Sequence, residues 1–399
     1  MPSQTWGLAT SGNVFSENGT TVVGTGDGAG VITINAGATA EFGLIASNTL
    51  TIEAGVTVLF GAAAKIRLRA TTTTFGSLIC SGTSTQRVTL SSSQVTPGAG
   101  DWAGIDCIGG DATHIQVINM TYTTVEYCVT GIQSQNAAGF TLGVDVTTFG
   151  CIFRRMTTAW MVNSAGQGGA HAWDISYTQF YNYDADTAAS QSFIQCASGG
   201  LPSVEADKAR IELRNCTVFY SENGGNTITL LNVGARSRIF IQDSILAGSN
   251  AGAGTVQAAT VSATDGQLTN NHNFYSVEAL NQYTPDGTDQ NVDPVFVSTT
   301  FPPNLSPDAQ AGSPDLYISS SVGTFVGAVM PYNFPAGGDI DPEGTVGVWG
   351  GRKQRVYEVG MGEKPRRGRA IRVGFRSTDL NGEKLLAGVF LRARPEGLK

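Results

Sequence analysis

An all-β chain, wound as a parallel solenoid, is the fold class the sequence predicts, and three observations predict it. Short strand-like segments recur from Val31 to about Ser276: VITINAG, LTIEAGVTVLFG, KIRLRA, RVTLSSS, IQVINMTYTTVEYC, IELRNCTVFYS and SRIFIQDSILAG. Each is rich in Val, Ile, Thr and Phe and ends in Gly, Asn or Ser, the signature of strands bounded by turns. Glycine supplies 51 of the 399 residues, about twice the usual ~7 % and without a collagen period, so tight turns are many. No amphipathic helical window of convincing length interrupts the pattern.

The repeat itself carries the solenoid reading. An apolar residue preceded by two small polar ones recurs as Thr123-Thr124-Val125, Thr147-Thr148-Phe149, Thr178-Gln179-Phe180, Cys216-Thr217-Val218, Asp243-Ser244-Ile245 and His272-Asn273-Phe274. Its apolar members stand at uneven intervals, none of them shorter than a single solenoid turn. A turn of a large parallel β-helix has a fixed minimum length and takes insertions as loops, which is the spacing expected here. Each turn then stacks an inward Val, Phe or Ile on the one below, with Thr, Asn or Ser outward.

Six cysteines, Cys80, Cys107, Cys128, Cys151, Cys196 and Cys216, recur at intervals near one such turn, or two between Cys151 and Cys196. None forms a CxxC or a Cys/His cluster, which argues against zinc and redox chemistry; the thiols are expected to stack, reduced, in the core, with disulfides the lesser alternative.

Three runs carry a family resemblance: Thr51 to Phe60 (TIEAGVTVLF), Gly76 to Ser93 (GSLICSGTSTQRVTLSSS) and Gly100 to Ile105 (GDWAGI). They resemble the opening turns of right-handed parallel β-helix repeat proteins. Asn291 to Val297 (NVDPVFV) and Ala311 to Pro314 (AGSP) resemble the close of such helices, whereas Gly344 to Gly351 matches only in part. The resemblance implies the fold and is nearly silent on function, because lyases, hydrolases, adhesins and phage spikes share it. The expected layout is a lead-in at residues 1–30, a β-helix at 31–342 and a basic, β-rich subdomain at 343–399.

That last subdomain stands apart in charge. Of 24 Lys/Arg and 32 Asp/Glu in the chain, 13 and 5 follow Gly351, so a net of +8 succeeds a net of −16. Arg355 to Gly360, Ala370 to Arg376 and Leu385 to Arg392 read as strands, with Asn381-Gly382 a hairpin signal. The basic side chains Arg352, Lys353, Arg355, Lys364, Arg366, Arg367, Arg369 and Arg372 have three readings: a solvated face, a phosphate-binding element, or a docking surface for acidic partners. Docking is favoured, because Tyr357, Phe375 and Phe390 are few aromatics for stacking nucleic-acid bases.

Catalytic signals are weak. No GxSxG or GxxxxGK[ST] occurs, and His114, His171 and His272 fall at unrelated points of the repeat. Glycan cleavage needs two carboxylates about 5 to 10 Å apart; Asp184 with Asp186, Glu205 with Asp207, and a pair among Asp286, Asp289 and Asp293 are candidates. Asp286, Asp289 and Asp293, or Asp339, Asp341 and Glu343, offer hard oxygens for Ca2+ but match no known loop pattern. No cofactor is expected.

The amino terminus lacks a signal peptide and no stretch is apolar enough to span a bilayer. Synthesis in a host cytoplasm is therefore expected, with display outside the cell after lysis. The function expected is a non-catalytic component of a phage particle: a spike, fibre or capsid decoration, assembled as a homo-oligomer with a trimer foremost. It would contact other virion proteins through the basic subdomain and a host surface glycan through the solenoid. Alternatives are a glycan-degrading tailspike and a bacterial surface adhesin.

Overall fold

A computed structural model describes residues 3–17, 21–109, 114–135, 144–165, 172–183, 191–198, 209–222, 225–250 and 252–291, and the short strands 296–298, 304–307, 345–349 and 352–355. The chain divides into two compact units, Met1–Val356 and Tyr357–Lys399. The second unit, with the strands expected at Ala370 to Arg376 and Leu385 to Arg392, lies outside the described residues.

Among the described residues there is no helix, and none that could cross a membrane. Three large sheets of nine, twelve and nine strands take their members in rotation from the chain, and from Val31–Ile34 to Ala279–Asn281 successive strands of a sheet are parallel and three apart in chain order. This connectivity is that of a β-helix-like solenoid. A turn contributes one strand to each sheet, for example Asn48–Glu53 to the first, Thr57–Phe60 to the second and Lys65–Ala70 to the third. Nine strands at a spacing of about 4.8 Å make a stack about 40 Å long.

The core is the inward column of each sheet. In the first, Leu50, Leu78, Ile118, Val146, Trp173, Ile211, Ile239 and Leu268 lie in register. In the second the column runs Val58, Leu90, Val125, Phe153, Phe180, Val218, Leu246 and Tyr275. Side chains alternate inward and outward along KIRLRA, which puts Ile66 and Leu68 in the core and Lys65, Arg67 and Arg69 outside.

Register corrects the sequence repeat at three places. Phe149 belongs to the first sheet and is 36 % exposed, and the residue aligned with Val125 is Phe153. Leu246 and Tyr275, not Ile245 and Phe274, continue the column. The column defined by pairing is the more evenly spaced along the chain, with one long interval between Phe180 and Val218. The cause is the corner between the first and second sheets, which is only one or two residues long and shifts the alternation of faces there: Tyr122, Gly150-Cys151, Tyr177-Thr178, Asn215-Cys216, Asp243-Ser244 and His272-Asn273.

This corner has a single construction. Its first residue is left-handed, with φ of 43° at Tyr122, 65° at Gly150, 48° at Tyr177, 52° at Asn215, 49° at Asp243 and 53° at His272. That residue's N–H donates to a carbonyl one turn on: Tyr122 to Phe149 at 2.8 Å, Tyr177 to Arg214 at 3.0 Å, Asn215 to Gln242 at 3.1 Å. The next residue is small and polar and turns its side chain back onto a carbonyl, as Thr178 does to Ser176 at 3.0 Å, Cys216 to Arg214 at 3.4 Å and Ser244 to Gln242 at 2.8 Å. Buried carbonyls are thereby satisfied at each turn.

All six cysteines are buried and free. They form no single ladder: Cys151 and Cys216 are corner residues, and Cys107 and Cys196 share a column of the third sheet with Ser134 and Asn163 between them. Burial pushes every thiol up, Cys151 to about 11 and Cys196 and Cys216 to about 12, so none is a nucleophile at neutral pH.

The GDWAGI run acquires a physical reason. Trp102 stacks on Phe60 at 4.0 Å and donates its indole N–H to the Glu126 carbonyl at 2.8 Å. Gly104, at φ 105°, sits at a register shift where a Cβ would come within 1.7 Å of the Thr130 carbonyl oxygen. Only glycine fits there.

At the start of the stack, Gln4–Trp6 pairs with Asn48–Glu53, while Ser11–Glu17 and Thr21–Asp27 form an antiparallel extension of the second sheet. At the other end the parallel pairing described runs to Gln290–Asn291; Phe296–Ser298 pairs antiparallel with Asn304–Pro307, and Thr345–Trp349 with Arg352–Arg355.

Candidate functional site on the outer face of the first sheet

The outward positions of the first sheet form columns set by register. One column holds Asn119, Thr147, Asp174, Glu212, Phe240 and Thr269. Two residues along the same strands lie Thr121, Phe149, Ser176, Arg214 and Gln242. The sequence folds this way because VDVTTF, AWDIS, ARIELR and SRIFIQ alternate strictly, so every second residue must face out.

Asp174 is exposed, and its carboxylate has no partner among the described residues. Glu212 on the next turn is held from both sides: Arg210 Nε lies 3.0 Å from Oε1, and Arg214 Nη2 bonds Oε2. Arg214 also lies over the Phe240 ring at 5.9 Å. Along the corner edge, Tyr122, Phe149 and Tyr177 make successive edge-to-face contacts at 5.6 and 5.3 Å. Partial burial, and then the Asp243 charge, push the Tyr177 hydroxyl up, so it stays a neutral donor. Aromatic rings beside carboxylates and planar guanidiniums give a face that can stack and hydrogen-bond at once.

The second sheet's outer face is a different arrangement. Ser91 donates to Glu126 at 2.8 Å, Arg154 bonds Glu126 and donates to Tyr181 Oη at 2.7 Å, and its guanidinium lies over the Tyr181 ring. Burial alone would lower the Arg154 proton affinity, but Tyr181 and Glu126 beside it outweigh that and raise it. Glu126 and Tyr181 are buried, and this network is a clamp across four turns rather than a binding surface.

The sequence-predicted site residues are placed unevenly. Asp184, Asp186, Glu205, Asp207, Asp293, Asp339, Asp341 and Glu343 lie outside the described residues, as do Lys364, Arg366, Arg367, Arg369 and Arg372. Arg352, Lys353 and Arg355 lie on the strand Arg352–Arg355. Asp286 and Asp289 share a turn at the last rung. Asp289 accepts from Asn273 N at 2.8 Å, Tyr283 Oη at 2.8 Å, Asp286 N at 3.2 Å and Asn270 Nδ2. Asp286 accepts from Thr288 N at 2.7 Å and Asp289 N at 3.0 Å, bonds that outweigh slight burial and hold its carboxyl below the usual range. Both carboxylates thus serve as acceptors for the turn, and no cluster of three or more His, Cys, Asp or Glu suited to a metal occurs among the described residues. His272 is the left-handed corner residue of that rung.

Asp174 and Glu212 were missed by motif reading because they belong to different strand segments, a whole turn apart along the chain. The signal was present as the aligned alternations Trp173-Asp174-Ile175 and Ile211-Glu212-Leu213, visible once the segments are stacked. A shallow open groove of about 450 Å³ at the last rung, lined by Gln267, Thr269, Asn270, Gln282 and Thr284 among others, has no ionisable side chain in its lining.

The molecule is thus an all-β protein of long parallel sheets stacked as a β-helix-like solenoid. Comparison with known proteins found no matching family model, no matching curated protein and no matching solved structure, so its chemistry rests on its own residues.

Proposed function

We propose that the chain is a non-catalytic structural and binding component of a phage particle, a spike, fibre or capsid-surface decoration. Its solenoid would turn right-handed, the sense favoured when parallel neighbouring strands are joined by a crossover. The observation that supports this reading is cross-turn stitching of charged side chains. Arg67 bonds Asp106 at 2.9 Å, Arg69 bonds Glu41 at 2.6 Å and Arg154 bonds Glu126, each pair joining successive turns. Partly buried and bonded sideways, these pairs resist sliding of one turn past the next, as a part carried on the outside of a particle requires.

In this proposal the basic segment after Gly351 docks the protein to acidic surfaces of other virion proteins, and copies assemble as a trimer. Immunogold labelling and mass spectrometry of purified particles test the placement. Stoichiometric protein at a fixed site is expected; its absence from particles overturns the reading. Deleting residues 352–399 should abolish incorporation while leaving the solenoid's circular dichroism intact.

A further inference from the structure

We propose that the row of aromatic side chains along the corner between the first and second sheets, Tyr122, Phe149 and Tyr177, docks a proline-rich segment of another protein, held in the polyproline II conformation. The proposal goes beyond the particle placement above and does not depend on it.

The corner itself builds the row. Tyr122 and Tyr177 are left-handed corner residues two turns apart, and the corner between them is Gly150, which has no side chain. Phe149, the strand residue just before that glycine, touches both tyrosines, with ring centroids 5.6 and 5.3 Å away and planes turned by 82° and 62°. Successive rings therefore meet edge to face and leave steps rather than a flat surface, and Phe149 is 36 % exposed despite its size. Stepped aromatic rows of this kind are what the pyrrolidine rings of a proline-rich segment pack against.

Period and hydrogen bonding select the occupant. Equivalent corner residues two turns apart are separated by about 9.6 Å, and a polyproline II chain repeats every three residues, about 9.3 Å. One face of an extended strand repeats at about 6.7 Å and an α-helix at about 5.4 Å, and neither divides that spacing evenly. Proline has no N–H, so such a segment offers carbonyl acceptors and needs donors opposite it. Tyr177, whose hydroxyl stays neutral beside Asp243, is a donor on the row. The other charged groups at this edge are engaged within the fold. Arg87 donates to Thr124 Oγ1 at 3.1 Å and to the Thr123 and Gly150 carbonyls at 3.3 and 2.7 Å, Asp243 accepts from Gln242 at 3.1 Å, and Glu212 and Arg214 bond each other. Asp174, on the strand paired with that of Phe149, has no partner among the described residues, so a basic residue beside the prolines would gain an ion pair there.

The test is fluorescence anisotropy of labelled peptides titrated with the full-length protein: decaproline, decaproline with an arginine at each end, and a glycine-serine decapeptide. Saturable binding to decaproline with a Kd below about 1 mM is expected, tighter with the arginines and absent for the glycine-serine chain. Tyr122→Asn, Phe149→Ser and Tyr177→Asn give each position a residue it already carries on another turn, Asn215 at the corner and Ser176 on the strand, so melting temperatures should hold. Affinity for decaproline should fall about tenfold in each. Asp174→Asn should remove only the advantage of the arginines, and Val95→Ser, on an exposed loop of another corner, leaves all binding intact. No saturable binding to decaproline, equal binding to the glycine-serine chain, or affinity unchanged in all three ring variants overturns the proposal. Arginine ends that add nothing overturn the role given to Asp174. Self-association in sedimentation velocity that the ring variants abolish, without decaproline binding, makes a second copy the occupant and overturns the proposal as well. Particle incorporation is read separately, so loss of peptide binding does not touch the virion placement.

Discussion

The corner joining the first sheet to the second and the corner joining the third to the first do the same topological work by opposite means. From Tyr122 onward the first corner spends one or two residues per turn, whereas the second spends from three, after Val233, to ten, after Ser198. The short corner is held by turn-to-turn hydrogen bonds at a left-handed residue, so an inserted residue would break a ladder. The long corner changes length from turn to turn, which is where solenoids take up insertions. Repetition in this chain is therefore enforced at one edge and relaxed at another.

The contrast can be broken or sharpened by substitution. The largest effect is expected at Gly104→Ala, where left-handed φ and a 1.7 Å approach to Thr130 leave no room; about 4 kcal/mol of destabilisation, or failure to express folded, is expected in denaturant melts. Next comes Glu126→Ala, which strands Arg154 and Ser91 on a buried face and should cost about 3 kcal/mol. The double variant Glu126→Ala with Arg154→Met should recover part of it.

At the short corner, Asn215→Val places a β-branched residue at φ 52° and should cost about 1–2 kcal/mol. Thr178→Val, which removes a buried donor to Ser176, should cost about 1 kcal/mol, while Cys151→Thr stays near neutral because Thr already serves that role at Thr123 and Thr178. Equal losses for matched changes in the long corner would show that the two corners do not differ as described.

Acidity gives the smallest effect. Asp27 is held below its usual 3.8 by backbone N–H bonds from Ala29 and Val31, and Asp286 is lowered by its Thr288 and Asp289 bonds. A depressed folded-state value adds stability above the unfolded value, and that stability is lost as pH falls through about 4 and below. Melting temperature should therefore drop in this window, and less so in Asp27→Asn. A flat profile would show that these turns do not hold the two ends of the stack.

Strand identity was legible in the sequence because alternation is local: KIRLRA, IELR and SRIFIQ need only their own residues to declare inward and outward faces. Register was legible only in part. Val125, Phe180 and Val218 share one column as the repeat implies, but Phe149 does not, because a one- or two-residue corner reverses the alternation with little compositional mark. Tyr122 and Tyr177 do not announce a left-handed turn as Gly150 or Asn215 do. The first-sheet face was illegible for another reason: Asp174 and Glu212 become neighbours only when strands a full turn apart in the chain pair with each other.

The antiparallel strands at the start of the stack bear on how copies coexist at high concentration. A parallel solenoid ends in open strand edges, and an identical molecule could in principle continue the ladder. Here Ser11–Glu17 and Thr21–Asp27 run the second sheet out in the opposite sense, with irregular pairing around Phe15 that distorts the last edge. Such an edge is a poor template for another chain. The second sheet is thereby closed to continuation at that end, whereas the first and third sheets end there in the short parallel strands Gln4–Trp6 and Thr39–Phe42, three and four residues long.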